Sequence, residues 1–210
     1  MPDINNTAYL EGHGIDTMEL EQIRECLRTQ LKESRYLHSI GVEEVACDLA
    51  VIYGYDMYKA GLAGILHDCA RGLSEEQLLS ECEKYNLPVS DNEHKCAVLL
   101  HAKVGALYAR VKYGVKDEEI IDAIRYHTTG HPEMTLLEKI IYTADYIEPY
   151  RDPTPRLEEI RRAAYTELDQ AILMILDNTL EHLQESGKEI DTLTVDTYNY
   201  YHKLLLANIY

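Results

Sequence analysis

His67 and Asp68 are adjacent in the sequence and follow a run of small and aliphatic residues that begins at Gly61. Both side-chain types bind metal ions in proteins. On a helix, neighbouring side chains point about 100° apart, so this pair can hold one ion only if other segments supply further ligands. An isolated pair of this kind is more often a structural histidine beside a solvated carboxylate.

Further candidate ligands are spread over other segments of the chain, at His38, His101, His127 and Asp145. Each has apolar neighbours at helical spacing, which predicts a position on the inner face or at the edge of a helical bundle. A buried aspartate is costly unless it is paired or bound to a metal. The residues alone favour a converging metal site and a set of independent polar core residues about equally. Histidine and aspartate without thiolates suit iron, manganese or a similar ion better than a structural zinc site.

Helices must position these residues, because apolar side chains recur at helical spacing along nearly the whole chain. Capping residues and glycines mark the ends of the predicted helices. They run from a cap at Asp16 to Leu31, from Glu33 to Gly54, from a cap at Asp56 through His67-Asp68 to Gly72, from a cap at Ser74 to before Pro88, from His94 to Tyr113, from a cap at Asp117 to Thr129, from a cap at Thr135 to before Pro149, and over residues 156–165, 167–186 and 194–207. No stretch alternates for long enough to predict a strand. The sequence therefore predicts an all-α protein, with a flexible leader at residues 1–17 and a single compact helical domain at residues 18–210.

The composition limits the possible partners. The formal net charge is -17, so most of the surface repels a polyphosphate backbone, and we expect no long nucleic acid as a partner. A small anionic substrate is compatible with this charge if a metal or a local cationic pocket receives it.

The five cysteines favour free thiols, because no two of them are spaced as Cys-x-x-Cys and their number is odd. Free cysteines are typical of a reducing compartment. No apolar run approaches the length of about 20 residues that spans a membrane, and no signal segment opens the chain. We therefore expect a cytoplasmic protein without a membrane partner.

The order of a histidine, a His-Asp pair and a distant aspartate resembles the HD superfamily of metal-dependent phosphohydrolases. The surrounding residues are similar to those of the bacterial YqeK family, and the similarity spans about residues 18 to 205. The segments that carry this resemblance are Arg35-Tyr-Leu-His38-Ser, His67-Asp68-Cys-Ala-Arg71, His101-Ala-Lys-Val-Gly105, Tyr126-His127-Thr-Thr-Gly130 and Ile141-Tyr-Thr-Ala-Asp145-Tyr-Ile-Glu-Pro-Tyr-Arg151.

The resemblance implies an all-α HD domain that cleaves dinucleoside tetraphosphates symmetrically at an iron-containing site, giving two ADP from diadenosine tetraphosphate. A metal-bound hydroxide would attack phosphorus in line. The implied metal ligands are His38, His67, Asp68 and Asp145, and the implied catalytic residues are Asp68, His101 and His127. The implied substrate contacts are Arg35, His38, Asp68, His101, His127, Thr128, Asp145 and Arg151.

Alternatives remain at this stage. A second metal ion could be bound by His101 and His127, with Asp68 as a bridge; we expect one ion, because neither histidine has an adjacent carboxylate in the sequence. The chain could instead be an HD nucleotidase or phosphatase acting on mononucleotides, or a non-catalytic helical scaffold. Apolar residues near the C-terminus, around Tyr198 and Leu204, could form a homodimer face or part of the core, and core is the commoner use of such a stripe.

Overall fold

The computed structural model describes residues 19–207, which form eleven α-helices and one short 3₁₀ turn. In chain order the α-helices are α1 (Leu20–Gln30), α2 (Glu33–Tyr53), α3 (Met57–Leu66), α4 (Glu75–Lys84), α5 (Asp91–Lys95), α6 (Leu100–Val111), α7 (Glu118–Tyr126), α8 (Leu136–Ile147), α9 (Leu157–Ala164), α10 (Leu168–Glu185) and α11 (Thr192–Ala207), and the 3₁₀ turn spans Ala97–Leu99. None of the described residues is in a strand. The prediction of an all-α protein is confirmed. The predicted leader at residues 1–17, with the cap at Asp16, lies outside the described residues.

Side-chain caps begin four of the predicted helices. Asp56, Ser74, Asp117 and Thr135 each accept a hydrogen bond from a backbone N–H of the following turn. Such a bond satisfies one of the amides that the first turn of a helix leaves without a partner. Gly54 ends α2 with a φ of +69°, a conformation that glycine adopts without steric cost.

The predicted helix from His94 to Tyr113 is wrong, because the chain breaks at Cys96, where φ is −132° and ψ is 69°. The residues before the break form the short α5, which begins at a capping box between Ser90 and Glu93. That Ser-x-x-Glu spacing is visible in the sequence and could have predicted the extra helix start. The α-helix that leads to His67 is also shorter than predicted: α3 ends at Leu66, and residues 67–72 form turns.

The helices that carry the candidate ligands pack against one another. Helix α2 contacts α3 and α8, α3 also contacts α7 and α8, and α6 contacts α7. The close approach of α2 and α3 depends on Gly64, where a Cβ atom would lie 3.0 Å from the backbone Cα of Glu43. An Arg24–Glu43 ion pair joins α1 to the same face of α2. The ends of α2, α3, α7 and α8 are thereby held around one region of the core.

The last helix contributes to the core as well as to the surface. Tyr201 is fully buried, and Tyr198, Tyr200 and Leu204 pack partly buried against the core, whereas Leu206 is exposed. Most of these apolar residues of α11 therefore pack against the core of this chain. A homodimer stays a prediction. Among residues 19–207, no helix is long and apolar enough to cross a membrane.

Candidate metal and phosphate site

Four side chains from two helices and one turn meet at a single point. The Nε2 atom of His38 in α2 lies 3.2 Å from Nε2 of His67, 3.1 Å from Oδ1 of Asp145 in α8, and 3.8 Å from Oδ2 of Asp68. The Nε2 atom of His67 lies 3.7 Å from the same oxygen of Asp68 and 3.8 Å from Oδ1 of Asp145. Residues as far apart in the sequence as His38 and Asp145 thus present a ring nitrogen and a carboxylate oxygen to a shared centre.

Three of the histidine rings are fixed in the same way by the backbone. The Nδ1 atom of each ring hydrogen-bonds to the carbonyl oxygen three residues earlier: His67 to Gly64 at 2.7 Å, His101 to Val98 at 2.5 Å, and His127 to Ile124 at 2.8 Å. A carbonyl only accepts hydrogen bonds, so Nδ1 must carry the proton in the neutral ring. The lone pair therefore lies on Nε2, which faces the cluster, and this is the arrangement of a histidine ready to bind a metal.

The ring of His38 is fixed by a carboxylate instead. Its Nδ1 atom lies 3.1 Å from Oε1 of Glu148, and the other carboxylate oxygen of Glu148 accepts the backbone N–H of Tyr150 at 2.5 Å. Glu148 is 1% exposed and follows Asp145 by three residues. Gly41 leaves the room for it, because a Cβ atom there would lie 2.7 Å from Oε2 of Glu148.

Glu148 has no role among the residues predicted from the sequence, although it stands in the motif that contains Asp145. A glutamate beside a proline at a helix end is an ordinary surface pattern, and only the fold shows that this one is buried. The signal available in the sequence was its position three residues after a candidate ligand, which predicts that both side chains lie on the same side of the helix end.

The two carboxylate oxygens of Asp68 face different groups. Its Oδ2 atom faces His38 and His67, whereas its Oδ1 atom lies 3.2 Å from Nε2 of His101 and 3.7 Å from Nε2 of His127. The two Nε2 atoms of His101 and His127 are 3.2 Å apart. Asp68 is 2% exposed and lies between the two groups of rings.

Thr128 borders the second of these groups. Its Oγ1 atom lies 3.4 Å from Nε2 of His101 and 3.2 Å from Nε2 of His127. A hydroxyl both donates and accepts, so Thr128 can hydrogen-bond to either ring and to a ligand that reaches them.

Burial sets the charge of the rings. It lowers the pKa of His67, which is fully buried, despite the attraction of the nearby aspartates. It also lowers the pKa of His127 to about 3, and the neighbouring His67 ring adds to this effect. Burial acts on His38 in the same direction, but hydrogen bonds to Asp145 and Glu148 outweigh it and raise the pKa of His38 to about 9. A metal ion that binds His38 through Nε2 must therefore displace a proton.

Both aspartates of the cluster are held ionised. Burial alone would raise the pKa of Asp68, but the nearby His67 and a hydrogen bond with His101 bring it well below its usual range. Burial would likewise raise the pKa of Asp145, and its hydrogen bond with His38 is the main reason that the pKa is lowered. The two ionised carboxylates outweigh the single proton that His38 holds, so the cluster is a negative centre that attracts a cation.

Two arginines lie at the border between this cluster and solvent. The Nη1 atom of Arg35 lies 2.9 Å from Oδ2 of Asp68. Arg151 lies 3.9 Å from Oδ1 of Asp145, and its guanidinium group is 4.9 Å from the ring centre of Tyr146. Their side chains are 41% and 32% exposed, respectively, so an anion arriving from solvent can reach both.

The donor set fits a divalent transition-metal ion. Bonds of about 2.1 Å in an octahedral shell place neighbouring donors about 3 Å apart and opposite donors about 4.2 Å apart. His38, His67 and Asp145 offer donor atoms within 4.8 Å of one another, and so do His67, Asp68 and His127. The structure thus brings together every ligand and phosphate contact predicted from the sequence, with Arg151 the most loosely placed.

Comparisons with known proteins identify the family of this chain. A family model described as the HD domain matches residues 35–150. The symmetrical bis(5'-nucleosyl)-tetraphosphatase of Bacillus subtilis (strain 168) is 42% identical over 183 residues, which cover 87% of this chain and 97% of that protein. The protein of the same name from Staphylococcus aureus (strain NCTC 8325 / PS 47) is 37% identical over 88% of this chain and 95% of its own length.

A solved structure is similar throughout. It is a crystal structure from Clostridium acetobutylicum, described as a predicted HD superfamily hydrolase involved in NAD metabolism. It has a TM-score of 0.86 and 39% sequence identity, and the match covers 90% of this chain and 99% of that one. The chain therefore belongs to the HD-domain family, and within it to the family of the symmetrical bis(5'-nucleosyl)-tetraphosphatases, which is the YqeK family.

Proposed function

We propose that this protein is a metal-dependent phosphohydrolase that cleaves diadenosine tetraphosphate and related dinucleoside polyphosphates symmetrically, so that diadenosine tetraphosphate gives two ADP. The observation that carries the proposal is the negative centre of histidine rings and aspartates beside two partly exposed arginines. The relatives that this chain matches over nearly their whole length are named for this activity. Symmetrical cleavage forms a bond between a water oxygen and a phosphorus beside the central bridging oxygen, and breaks the bond to that oxygen.

His38, His67, Asp68 and Asp145 would hold one divalent ion, for which we propose iron, with manganese as the other candidate. When bound, such an ion polarises a phosphate oxygen and lowers the pKa of a coordinated water. Glu148 fixes the His38 ring and the Gly64 carbonyl fixes the His67 ring, so both Nε2 atoms point to the centre before the ion arrives. Arg35 and Arg151 would bind phosphate oxygens through their planar groups, which match that geometry better than lysine.

His101 and His127 would act on the proton that the attacking water loses. Both rings present Nε2 to the same oxygen of Asp68, and the low pKa of His127 keeps that ring neutral and able to accept a hydrogen bond. The Oδ1 atom of Asp68 holds both rings in place, and its Oδ2 atom faces His38 and His67. Thr128 would donate its hydroxyl proton to a phosphate oxygen.

A second metal ion is the alternative arrangement for the same residues. It is favoured by Oδ1 of Asp68, which lies 3.2 Å from His101 on the side away from His38. With one ion, His101 and His127 remain free for the substrate, and this is the arrangement that we propose.

Product analysis tests the function. The iron-loaded protein, kept under reducing conditions, is incubated with diadenosine tetraphosphate, and we expect ADP as the sole nucleotide product by chromatography. Equal amounts of AMP and ATP would contradict symmetrical cleavage. Deoxynucleoside monophosphates and triphosphates assayed beside it separate this activity from that of a mononucleotide phosphatase.

Metal analysis of His67→Ala against the wild type tests the site independently of turnover. We expect the variant to lose iron, and an unchanged iron content would rule out this ligand set.

A further inference from the structure

A cavity of about 720 Å³ lies beside the His101 and His127 end of the cluster. Its walls come from α5 and the turn before it, from the starts of α6 and α11, and from the end of α7 with the residues that follow it. Sites for small organic ligands in proteins have volumes of about 300–1,000 Å³. The cavity is large enough for a base and a sugar together.

The cavity shares a wall with the cluster. Thr128 lines it, and the same hydroxyl lies within 3.4 Å of Nε2 of both His101 and His127. The residues next to these histidines in the sequence also line it, with Ala102 and Lys103 on α6 and Tyr126 at the end of α7. Only the side chain of Thr128 therefore separates a ligand in the cavity from the rings of His101 and His127.

The cluster itself has no room for a nucleoside, because its donor atoms lie only 3.1–3.8 Å apart. A dinucleoside tetraphosphate has a chain of phosphates in the middle and one nucleoside at each end. If the phosphates reach the cluster, the nucleosides must occupy the surrounding surface, and this cavity is the adjoining space on the His101 side.

The chemistry of the wall suits an uncharged group better than phosphate. Lys103 is already paired with Glu93, with Nζ 2.7 Å from Oε1, and it also donates to the carbonyl of Pro88. Arg125 is paired with Asp122 at 2.8 Å. Both cations are paired, and the acidic side chains of Asp91 and Asp191 also line the cavity, so the wall disfavours a phosphate.

The uncharged part of the wall has two kinds of group. Leu99 and Leu193 offer apolar surface to the faces of a base, and Asn92 and Thr129 offer an amide and a hydroxyl to base edges or sugar hydroxyls. An apolar lining with a few polar groups is typical of sites for such ligands.

We propose that this cavity binds one nucleoside of the substrate, base and sugar, with the attached phosphates passing Thr128 to reach the cluster. The proposal rests on the proposed function, because it takes the phosphates to be bound at the cluster. It predicts that the nucleoside adds affinity that a phosphate chain alone lacks, and that filling the cavity removes this added affinity.

Calorimetric titration of the metal-loaded protein with ADP and with pyrophosphate tests this. The cavity is filled by Thr192→Trp, since Thr192 lines it and is exposed at the first position of α11. Asn92→Trp fills it from α5. The matched control is Thr166→Trp, at an exposed threonine between α9 and α10 that does not line the cavity.

We expect the wild type to bind ADP more tightly than pyrophosphate. Each cavity variant should bind ADP at least tenfold more weakly, which is about 1.4 kcal/mol, with pyrophosphate binding and metal content unchanged. Thr166→Trp should match the wild type for both ligands. Wild-type affinity for ADP in both cavity variants, with their folding verified by thermal unfolding, would overturn the proposal.

Hydrolysis of diadenosine tetraphosphate by the wild type is measured in parallel. A protein that forms ADP but shows no effect of either cavity variant contradicts the cavity proposal alone. A protein that forms no ADP contradicts the proposed function, whatever the titrations give.

Discussion

Nδ1 of His38 lies 3.1 Å from Oε1 of Glu148, and this contact joins the first turns of α2 to the end of α8. The other three rings of the cluster use backbone carbonyls at the same position. A carboxylate is the stronger acceptor, so it makes the opposite nitrogen of His38 a better metal ligand.

Replacing Glu148 by glutamine should weaken metal binding by about 10- to 100-fold, the usual cost of losing such an outer partner. A carboxylate accepts from both His38 and the Tyr150 amide, whereas the glutamine amide has one acceptor oxygen for the two. Titration of the metal-free protein with iron or manganese measures the change. Glu159→Gln, at an exposed glutamate of α9, is the control, and equal affinities in the two variants would contradict the role of Glu148.

Gly41→Ala should displace Glu148 without touching a metal ligand. The new Cβ atom would lie 2.7 Å from Oε2 of Glu148 and 3.2 Å from Cδ of Pro149, so the loop after α8 has to move. We expect weaker metal binding and a free energy of unfolding lower by about 1–3 kcal/mol, the usual cost of overpacking. Denaturant unfolding of the metal-free protein measures the second effect. Gly72→Ala, where the nearest atom lies 3.5 Å away, should be close to wild type.

Arg35→Ala should raise KM for diadenosine tetraphosphate while the metal content stays unchanged. A hydrogen bond between charged groups contributes about 1.5–3 kcal/mol, so kcat/KM should fall by roughly 10- to 100-fold. Arg35→Lys should recover only part of this, since lysine lacks the planar pair of donors. Steady-state kinetics measures both effects, with Arg28→Ala, at an exposed arginine, as the control. An unaltered KM in Arg35→Ala would count against phosphate binding by Arg35.

His101→Ala should keep its metal and lose turnover if one ion is bound. We expect about one iron per chain in the wild type and in the variant by elemental analysis, with activity lower by about 100-fold or more, as for loss of a proton-transfer group. Two ions in the wild type and one in His101→Ala would instead support the arrangement bridged by Asp68.

The sequence predicted most helix ends because their signals are local. The caps at Asp56, Ser74 and Thr135 and the glycine at Gly54 act within one turn of the backbone, so the residue types carry the information. The break at Cys96 was missed because apolar residues continue through it at helical spacing, although Ser90 and Glu93 signalled a new start.

The sequence also predicted the residues of the candidate site, but it did not predict how each is held. His38 and Asp145 could be selected by type and by resemblance to a family. The burial of Glu148 and the position of Asp68 between two pairs of histidine rings depend on how α2, α3, α7 and α8 cross. The distances between these side chains are set only when the helices pack.

Three of the rings hang from carbonyls three residues earlier, at Gly64, Val98 and Ile124. Each ring therefore depends on the turn that supplies its carbonyl. When that turn frays, the imidazole can rotate and its Nε2 lone pair no longer points to the centre. An ion bound to His67 should hold the first of these turns in place, so deuterium uptake by the amides of residues 64–70 should slow when iron is added. Affinity for the ion would then depend partly on the stability of a backbone turn whose atoms do not contact the ion.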